Sequence, residues 1–166
     1  WKSPTTADFI QAKQCGINYV EVAFNQCYRN VPAYELIPRL QAMKASLDSA
    51  GMKVWSVHLP FARPLDNTVA DDKSREENVK FMAEAIELSG MFKPSCLVLH
   101  SSSEPIADVD RPQRIINASI SIARLKEYAD AIGAELCIEN LPRTCLGNTP
   151  EELLQIIGDI PGVKVC

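Results

Sequence analysis

The sequence lacks several features that would assign it to a familiar class of protein. No apolar run approaches the roughly 20 residues that span a bilayer, so we expect no membrane partner. No glycine-rich phosphate fingerprint follows any apolar segment, which disfavours a dinucleotide-binding or P-loop sheet. The six cysteines form no CxxC pair and show no short spacing typical of a zinc knuckle.

The sequence also has no excess of basic residues, since it contains 17 lysines and arginines against 21 aspartates and glutamates. Nucleic-acid binding usually needs a basic face, so a nucleic-acid partner is disfavoured.

Three cysteines lie in predicted strands and are expected to be small buried residues: Cys96, Cys137 and Cys166. The first residues contain no apolar signal-peptide segment, and we expect a cytoplasmic protein. The oligomeric state stays open, with a homo-oligomer as one alternative.

What the sequence does contain is a repeated strand-then-helix pattern. Short apolar runs typical of buried strands cover about 18–24, 54–58, 96–100, 136–139 and 163–166. Helical spacing of apolar residues covers about 6–15, 36–47, 71–89, 113–132 and 149–157. The last helix is predicted to begin with Thr149 as N-cap and Glu152 closing a capping box. Alternation with short loops predicts parallel strands joined by right-handed crossovers.

The predicted fold class is α/β, a partial TIM (β/α)8 barrel of about five parallel strands with outer helices. A complete barrel has eight strands and about 250 residues. This chain has 166 residues, begins in a helix that should follow a strand, and stops within a strand. We therefore expect residues 1–166 to form a single incomplete barrel domain.

Both histidines of the chain lie at the same kind of place. His58 ends the run VWSVH, His100 ends the run CLVLH, and Glu139 ends the run LCIE in the same way. Each run puts a side chain that can bind a metal at the carboxyl end of a predicted strand. In α/β barrels, this end carries the chemistry.

Alternation along the strands predicts which side chains meet. In the second strand, Trp55 should lie on the face opposite to His58, against the outer helices. The face that carries His58, His100 and Glu139 should line the barrel axis, with Glu21 of the first strand on the same side. Four ionisable groups from four adjacent strands should therefore converge at one mouth of the barrel.

Such a cluster needs a cation or a hydrogen-bond network, because an unpaired buried charge is very costly. Imidazole and carboxylate together suit Zn, Mn, Co or Fe better than Ca. We therefore predict a divalent metal cofactor, Mn, Co or Zn, that polarises a carbonyl or hydroxyl or activates water. The alternatives are a Glu139 ion pair with Arg143 and histidines held by structural hydrogen bonds.

Arg143 and Glu104 lie in loops near the mouth. Arg143 is a candidate to hold a substrate oxygen or phosphate, or is a solvated loop residue.

The motifs WSVHLPF, CLVLHSSSEP and CIENLPR resemble successive strand ends of the xylose isomerase-like barrel superfamily. That superfamily contains the sugar phosphate isomerase/epimerase proteins and the apurinic endonuclease family. The resemblance runs from about Phe9 to Cys166 and corresponds to family strands two to six.

The resemblance implies roles for particular residues. It implies that Glu139 is a metal ligand and, in an epimerase, takes part in proton transfer at the carbon being inverted. His58 and His100 match histidines that bind metal in the endonucleases and line the substrate site in many isomerases. We therefore take His58, His100 and Glu139 as candidate catalytic residues. Glu21, Arg143 and Glu104 are candidate substrate-binding residues because of their predicted positions near the mouth of the barrel.

Three functions compete. The first is a metal-dependent isomerase or epimerase of a sugar, sugar phosphate or polyol, acting by proton transfer next to a carbonyl, with a small carbohydrate as partner. The second is a zinc-dependent apurinic-site endonuclease, which the acidic balance and the Ser-Ser-Ser-Glu-Pro loop after His100 disfavour. The third is an inactive piece, because the ligands that the resemblance implies for later strands are absent. For that reason, residues 1–166 alone are expected to be inactive.

Overall fold

Five parallel strands form one sheet in the computed structural model, which describes residues 4–25, 31, 33–103 and 106–166. The strands pair in chain order and are β1 (Tyr19–Ala23), β2 (Lys53–His58), β3 (Cys96–His100), β4 (Glu135–Glu139) and β5 (Lys164–Val165). The helices that alternate with them are α1 (Thr6–Gln14), α2 (Ala33–Ser49), α3 (Asp72–Ser89), α4 (Arg111–Ala131) and α5 (Pro150–Ile157). The predicted α/β architecture with about five parallel strands is confirmed. Within the described ranges, no helix is long and apolar enough to cross a membrane.

The apolar core lies between the sheet and the helices. Val57, Leu97 and Leu136 are paired across three adjacent strands and have no exposed surface. They belong to one buried cluster with Ile86 of α3 and Leu125 of α4. Burying a side chain of this size stabilises the fold by about 1.5–3 kcal/mol. Because side chains alternate along a strand, this core forces the neighbouring strand-end residues to face the opposite side of the sheet.

One residue of β2 breaks the predicted alternation. Val20 pairs with Val54 and Glu21 pairs with Ser56, so Trp55 is the extra residue of a β-bulge. Val54 therefore joins the core under the helices. Trp55 is 55% exposed, and its ring lies 5.8 Å from the ring of Tyr19. The prediction that Trp55 packs against the outer helices was wrong, because the bulge turns it to the other face.

A buried ion pair connects the loops that follow β2 and β3. The Asp66 carboxylate is 4% exposed and accepts hydrogen bonds from the Thr68 backbone and hydroxyl at 2.8 and 2.6 Å. It also accepts from the Ser103 backbone at 2.9 Å and from the Arg114 guanidinium of α4 at 2.7 Å. These hydrogen bonds offset the free-energy cost of burying the negative charge of Asp66. Asp66 therefore holds together two loops that leave the carboxyl ends of adjacent strands.

A second ion pair, which is partly buried, holds the loop that follows β4. The Arg111 guanidinium contacts both oxygens of Glu152 at 2.6 and 2.8 Å and donates to the carbonyls of Thr144 and Cys145. Glu152 also accepts from the backbone of Gly147, whose φ of +74° favours glycine. Thr149 caps α5 as predicted. The prediction that Glu152 closes the capping box was wrong, because Arg111 and Gly147 bind its carboxylate.

We predict that Asp66→Ala lowers the free energy of unfolding by about 3–5 kcal/mol, because it leaves the partly buried Arg114 without its carboxylate partner. The matched control is Asp72→Ala, which removes an ion pair with Arg75 in which the aspartate side chain is 89% exposed. That control should cost less than about 1 kcal/mol. Urea denaturation measures both values, and equal losses for the two variants would contradict the assignment.

Candidate active site

The last residues of β2, β3 and β4 come together on the inner side of the sheet. Nε2 of His58 lies 3.1 Å from Oε2 of Glu139, and Nε2 of His100 lies 2.9 Å from the same oxygen. The two imidazole rings have centroids 5.0 Å apart. One ligand atom from each residue lies within 4.8 Å of the others. Two imidazoles and one carboxylate thus point at a single small volume.

Parallel pairing explains this convergence. His100 is directly opposite Glu139, so these two side chains leave the sheet side by side. His58 is paired with Val98, two residues before His100, and therefore shares its face. The histidine side chains are 16% and 18% exposed, whereas Glu139 is 37% exposed. The carboxylate is the member of the group most open to a ligand.

The His58 ring is held in one orientation by the backbone. Its Nδ1 lies 3.0 Å from the carbonyl oxygen of Leu59. A carbonyl only accepts, so Nδ1 carries a hydrogen, and Nε2 of the neutral ring presents a lone pair toward Glu139. A lone pair and a carboxylate oxygen at 3.1 Å need a positive charge between them, either a proton or a metal ion. Metal-binding histidines commonly donate their second ring N–H to a carbonyl in this way, so the donor set fits a divalent ion.

Burial and a neighbouring ring both act on His100. Burial lowers the pKa of His100, His58 lowers it further, and Glu139 acts in the opposite direction. The Phe61 ring contributes to this burial, because it stacks on the His100 ring with centroids 4.1 Å apart. Asn25 holds Phe61 through two hydrogen bonds of 2.9 Å to its backbone. Sequence reasoning missed Phe61 and Asn25, although Phe61 stands three residues after His58 in the WSVHLPF motif.

The other predicted site residues lie elsewhere. Glu21 is not one of the three residues whose ligand atoms lie within 4.8 Å of one another. Its Oε2 instead accepts a hydrogen bond of 2.7 Å from Ser56, two residues before His58. The expected convergence of four ionisable groups is therefore reduced to three. Arg143 is exposed in the loop after β4 with φ of +57°, and its carbonyl accepts from Asn148. Glu104 lies outside the described residues.

Cys137, two residues before Glu139, is a poor nucleophile. Burial raises the pKa of its thiol to about 12. The thiol therefore stays protonated at neutral pH, and thiolate is the reactive form. Cys137 is buried as predicted, whereas Cys96 is partly buried and Cys166 is exposed beside the edge strand β5. The predicted burial of Cys166 was wrong, because in this sheet only β4 pairs with β5.

We predict a pH-dependent stability that comes from His100 in the metal-free protein. Because its folded-state pKa lies below the unfolded value of about 6.5, the unfolded chain takes up the proton first. The free energy of unfolding should therefore fall as the pH drops through about 6.5 and stay flat above it, with a slope of at most about 1.4 kcal/mol per pH unit. Denaturation with chelator present measures this slope. His100→Gln should reduce it, and an unchanged slope would show that other groups cause it.

Comparison with known proteins identifies the family and the fold. Residues 9–166 match the family described as "Xylose isomerase-like TIM barrel". The uncharacterized protein MJ1311 of Methanocaldococcus jannaschii is 30% identical over 107 residues, which are 63% of this chain and 36% of that protein.

Solved structures of epimerases share the fold at low sequence identity. D-psicose 3-epimerase with D-tagatose, from Clostridium cellulolyticum H10, superposes with a TM-score of 0.79 at 18% identity, covering 99% of this chain and 58% of that one. The 3-keto-D-glucoside 4-epimerase YcjR from E. coli gives 0.71 at 15%, covering 96% and 61%. The chain thus spans less than two thirds of the length of each of these relatives. The expected partial TIM barrel is confirmed, and the chain belongs to the xylose isomerase-like TIM barrel family.

Proposed function

We propose that the protein is a metal-dependent sugar isomerase or epimerase that moves a proton next to a carbonyl group. The observation that carries this proposal is the shared oxygen of Glu139, which lies within 3.1 Å of the Nε2 atoms of both His58 and His100. Membership of the family supports it. Because the chain spans 58% of the psicose epimerase, the activity is proposed for the complete natural protein.

His58, His100 and Glu139 are the residues that would hold the metal. We propose Mn, Co or Zn, because two imidazoles and one carboxylate match the preferences of these ions. A bound divalent ion supplies Lewis acidity that stabilises negative charge on the oxygens of the substrate. The Leu59 carbonyl keeps Nδ1 of His58 protonated and so leaves Nε2 as a donor atom.

Glu139 is proposed to carry the proton. General bases in such reactions act within hydrogen-bond reach of the proton that they remove. The carboxylate is partly exposed, while the two imidazoles behind it are mostly buried. A sugar can therefore approach the carboxylate from the open side. Loss of a proton to Glu139 from the carbon next to a carbonyl leaves an enediolate. Glu139 can return that proton to the adjacent carbon, which isomerises the sugar, whereas inversion of the first carbon requires a second acid that delivers a proton to the opposite face.

The residues around the group are proposed to shape the substrate site. The ring of Phe61 forms one apolar wall beside both imidazoles, at centroid distances of 4.1 and 5.1 Å. Such a wall limits access of water to the proton in transit. We propose that the exposed Arg143 holds a substrate oxygen, since a guanidinium presents several fixed donors. Glu21 is proposed to contact the substrate through its free oxygen or to support β2 through Ser56.

We predict that Glu139→Gln lowers the rate of ketose epimerisation by about 10²–10⁴-fold or more, because the amide cannot accept the proton. The assay incubates the complete protein with Mn²⁺ or Co²⁺ and D-tagatose, then separates the epimers by chromatography. The matched control is Glu135→Gln, since Glu135 is exposed at the opposite end of the same strand. Cleavage of abasic DNA, with no turnover of any ketose, would favour the nuclease instead.

We also predict that metal binding stabilises the fold independently of turnover. Addition of Co²⁺ at 100 times its dissociation constant should raise the free energy of unfolding by about 2.7 kcal/mol. Glu139→Gln should lose most of this gain, and Glu135→Gln should keep it. Thermal denaturation with and without chelator gives the comparison. A gain that survives in Glu139→Gln would place the ion elsewhere.

A further inference from the structure

A small cavity lies beside His100, between the loop that follows β2 and the loop that follows β3. It offers about 10 Å³ to the centre of a water molecule, which is close to the minimum that one water needs. Phe61, Asn67 and Ser102 are among the residues that line it together with His100. The cavity thus has room for one oxygen atom.

One residue that lines this cavity has a polar side-chain atom without a hydrogen bond among the described residues. Asn67 is 6% exposed, and its Oδ1 is fully buried without a partner in the described part of the chain. A buried amide oxygen of this kind is costly, and native proteins usually satisfy it with a protein donor or an ordered water. The neighbouring Asp66 differs, because its carboxylate already accepts four hydrogen bonds. Of these two adjacent residues, only Asn67 has a buried oxygen without a hydrogen bond in the described part of the chain.

Two further groups in the wall are able to bind an oxygen. The Ser102 hydroxyl accepts from the Leu146 backbone at 2.9 Å, which leaves its own hydrogen as a donor. Nε2 of His100 contacts Glu139, whereas its Nδ1 has no hydrogen-bond partner among the residues that the structure covers. His58 differs, since the Leu59 carbonyl orients its Nδ1. Of the two histidines, only His58 has a hydrogen bond at Nδ1 within the described part of the chain.

We propose that this cavity, the Asn67 pocket, binds one O–H group that donates to Asn67 Oδ1 and hydrogen-bonds to Nδ1 of His100. Asn67 is then a positioning residue that orients the His100 ring through the bound oxygen. A water molecule and a hydroxyl of a bound sugar both provide this chemistry. The inference goes beyond the proposed function, because such a site requires neither metal binding nor turnover.

Crystal structures of the natural protein test the site directly. Without sugar, we expect a density peak within hydrogen-bond distance of Asn67 Oδ1 and of a ring nitrogen of His100. After soaking with D-tagatose, an unchanged peak identifies a structural water, and a peak continuous with sugar density identifies a substrate hydroxyl. Both outcomes support the pocket. An empty cavity in both crystals overturns the proposal.

Nitrogen NMR of the metal-free protein tests the positioning role, with the His58 ring as the internal reference. Asn67→Leu should shift the ring ¹⁵N resonances of His100 several-fold more than those of His58. The matched control is Asn78→Ala, because Asn78 anchors the same loop through the Asp66 carbonyl at 2.8 Å and does not line the cavity. It should shift neither histidine. Equal shifts from both variants overturn the positioning role, and the crystals decide if Asn67→Leu fails to fold.

Discussion

The contact on which the site depends is one carboxylate oxygen of Glu139 shared by the Nε2 atoms of His58 and His100. Parallel pairing brings these atoms together, because the strands all end at the same edge of the sheet. The Leu59 carbonyl then turns a lone pair of His58 toward the carboxylate. Such an arrangement is unfavourable without a positive charge between these atoms, which either a proton or a metal ion would supply.

The first turn of α4 supports all three loops around this site. Arg114 reaches Asp66 and so holds the loops after β2 and β3, while Arg111 reaches Glu152 and holds the loop after β4. Basic side chains at a helix N-terminus oppose the helix dipole. Their mostly buried carboxylate partners offset this cost, and the arginines therefore act as connectors between loops. A single helix end thus connects the loops that leave three neighbouring strands.

The architecture was largely predictable because it follows from local patterns. Strand and helix alternation along the chain predicted the parallel sheet, and the core residues Val57, Leu97 and Leu136 obey the expected period. The orientation of Trp55 was not predicted, because a bulge depends on how β1 and β2 pair and leaves no local signal. The partner of the Glu152 carboxylate was not predicted for a similar reason. Its carboxylate had two acceptable partners, and the distant Arg111 was the one that it bound.

The residue types at the strand ends can be read from the amino-acid order, and the alternation of side chains places His58, His100 and Glu139 on one face. Which atoms touch depends on strand register and loop packing, because His58 and Glu139 are 81 positions apart in the chain. The tertiary structure excluded Glu21 from the group, stacked Phe61 on His100, and left Asn67 facing a cavity of about one water. Periodicity is a property of each strand alone, whereas these contacts arise between elements and are absent from any one segment.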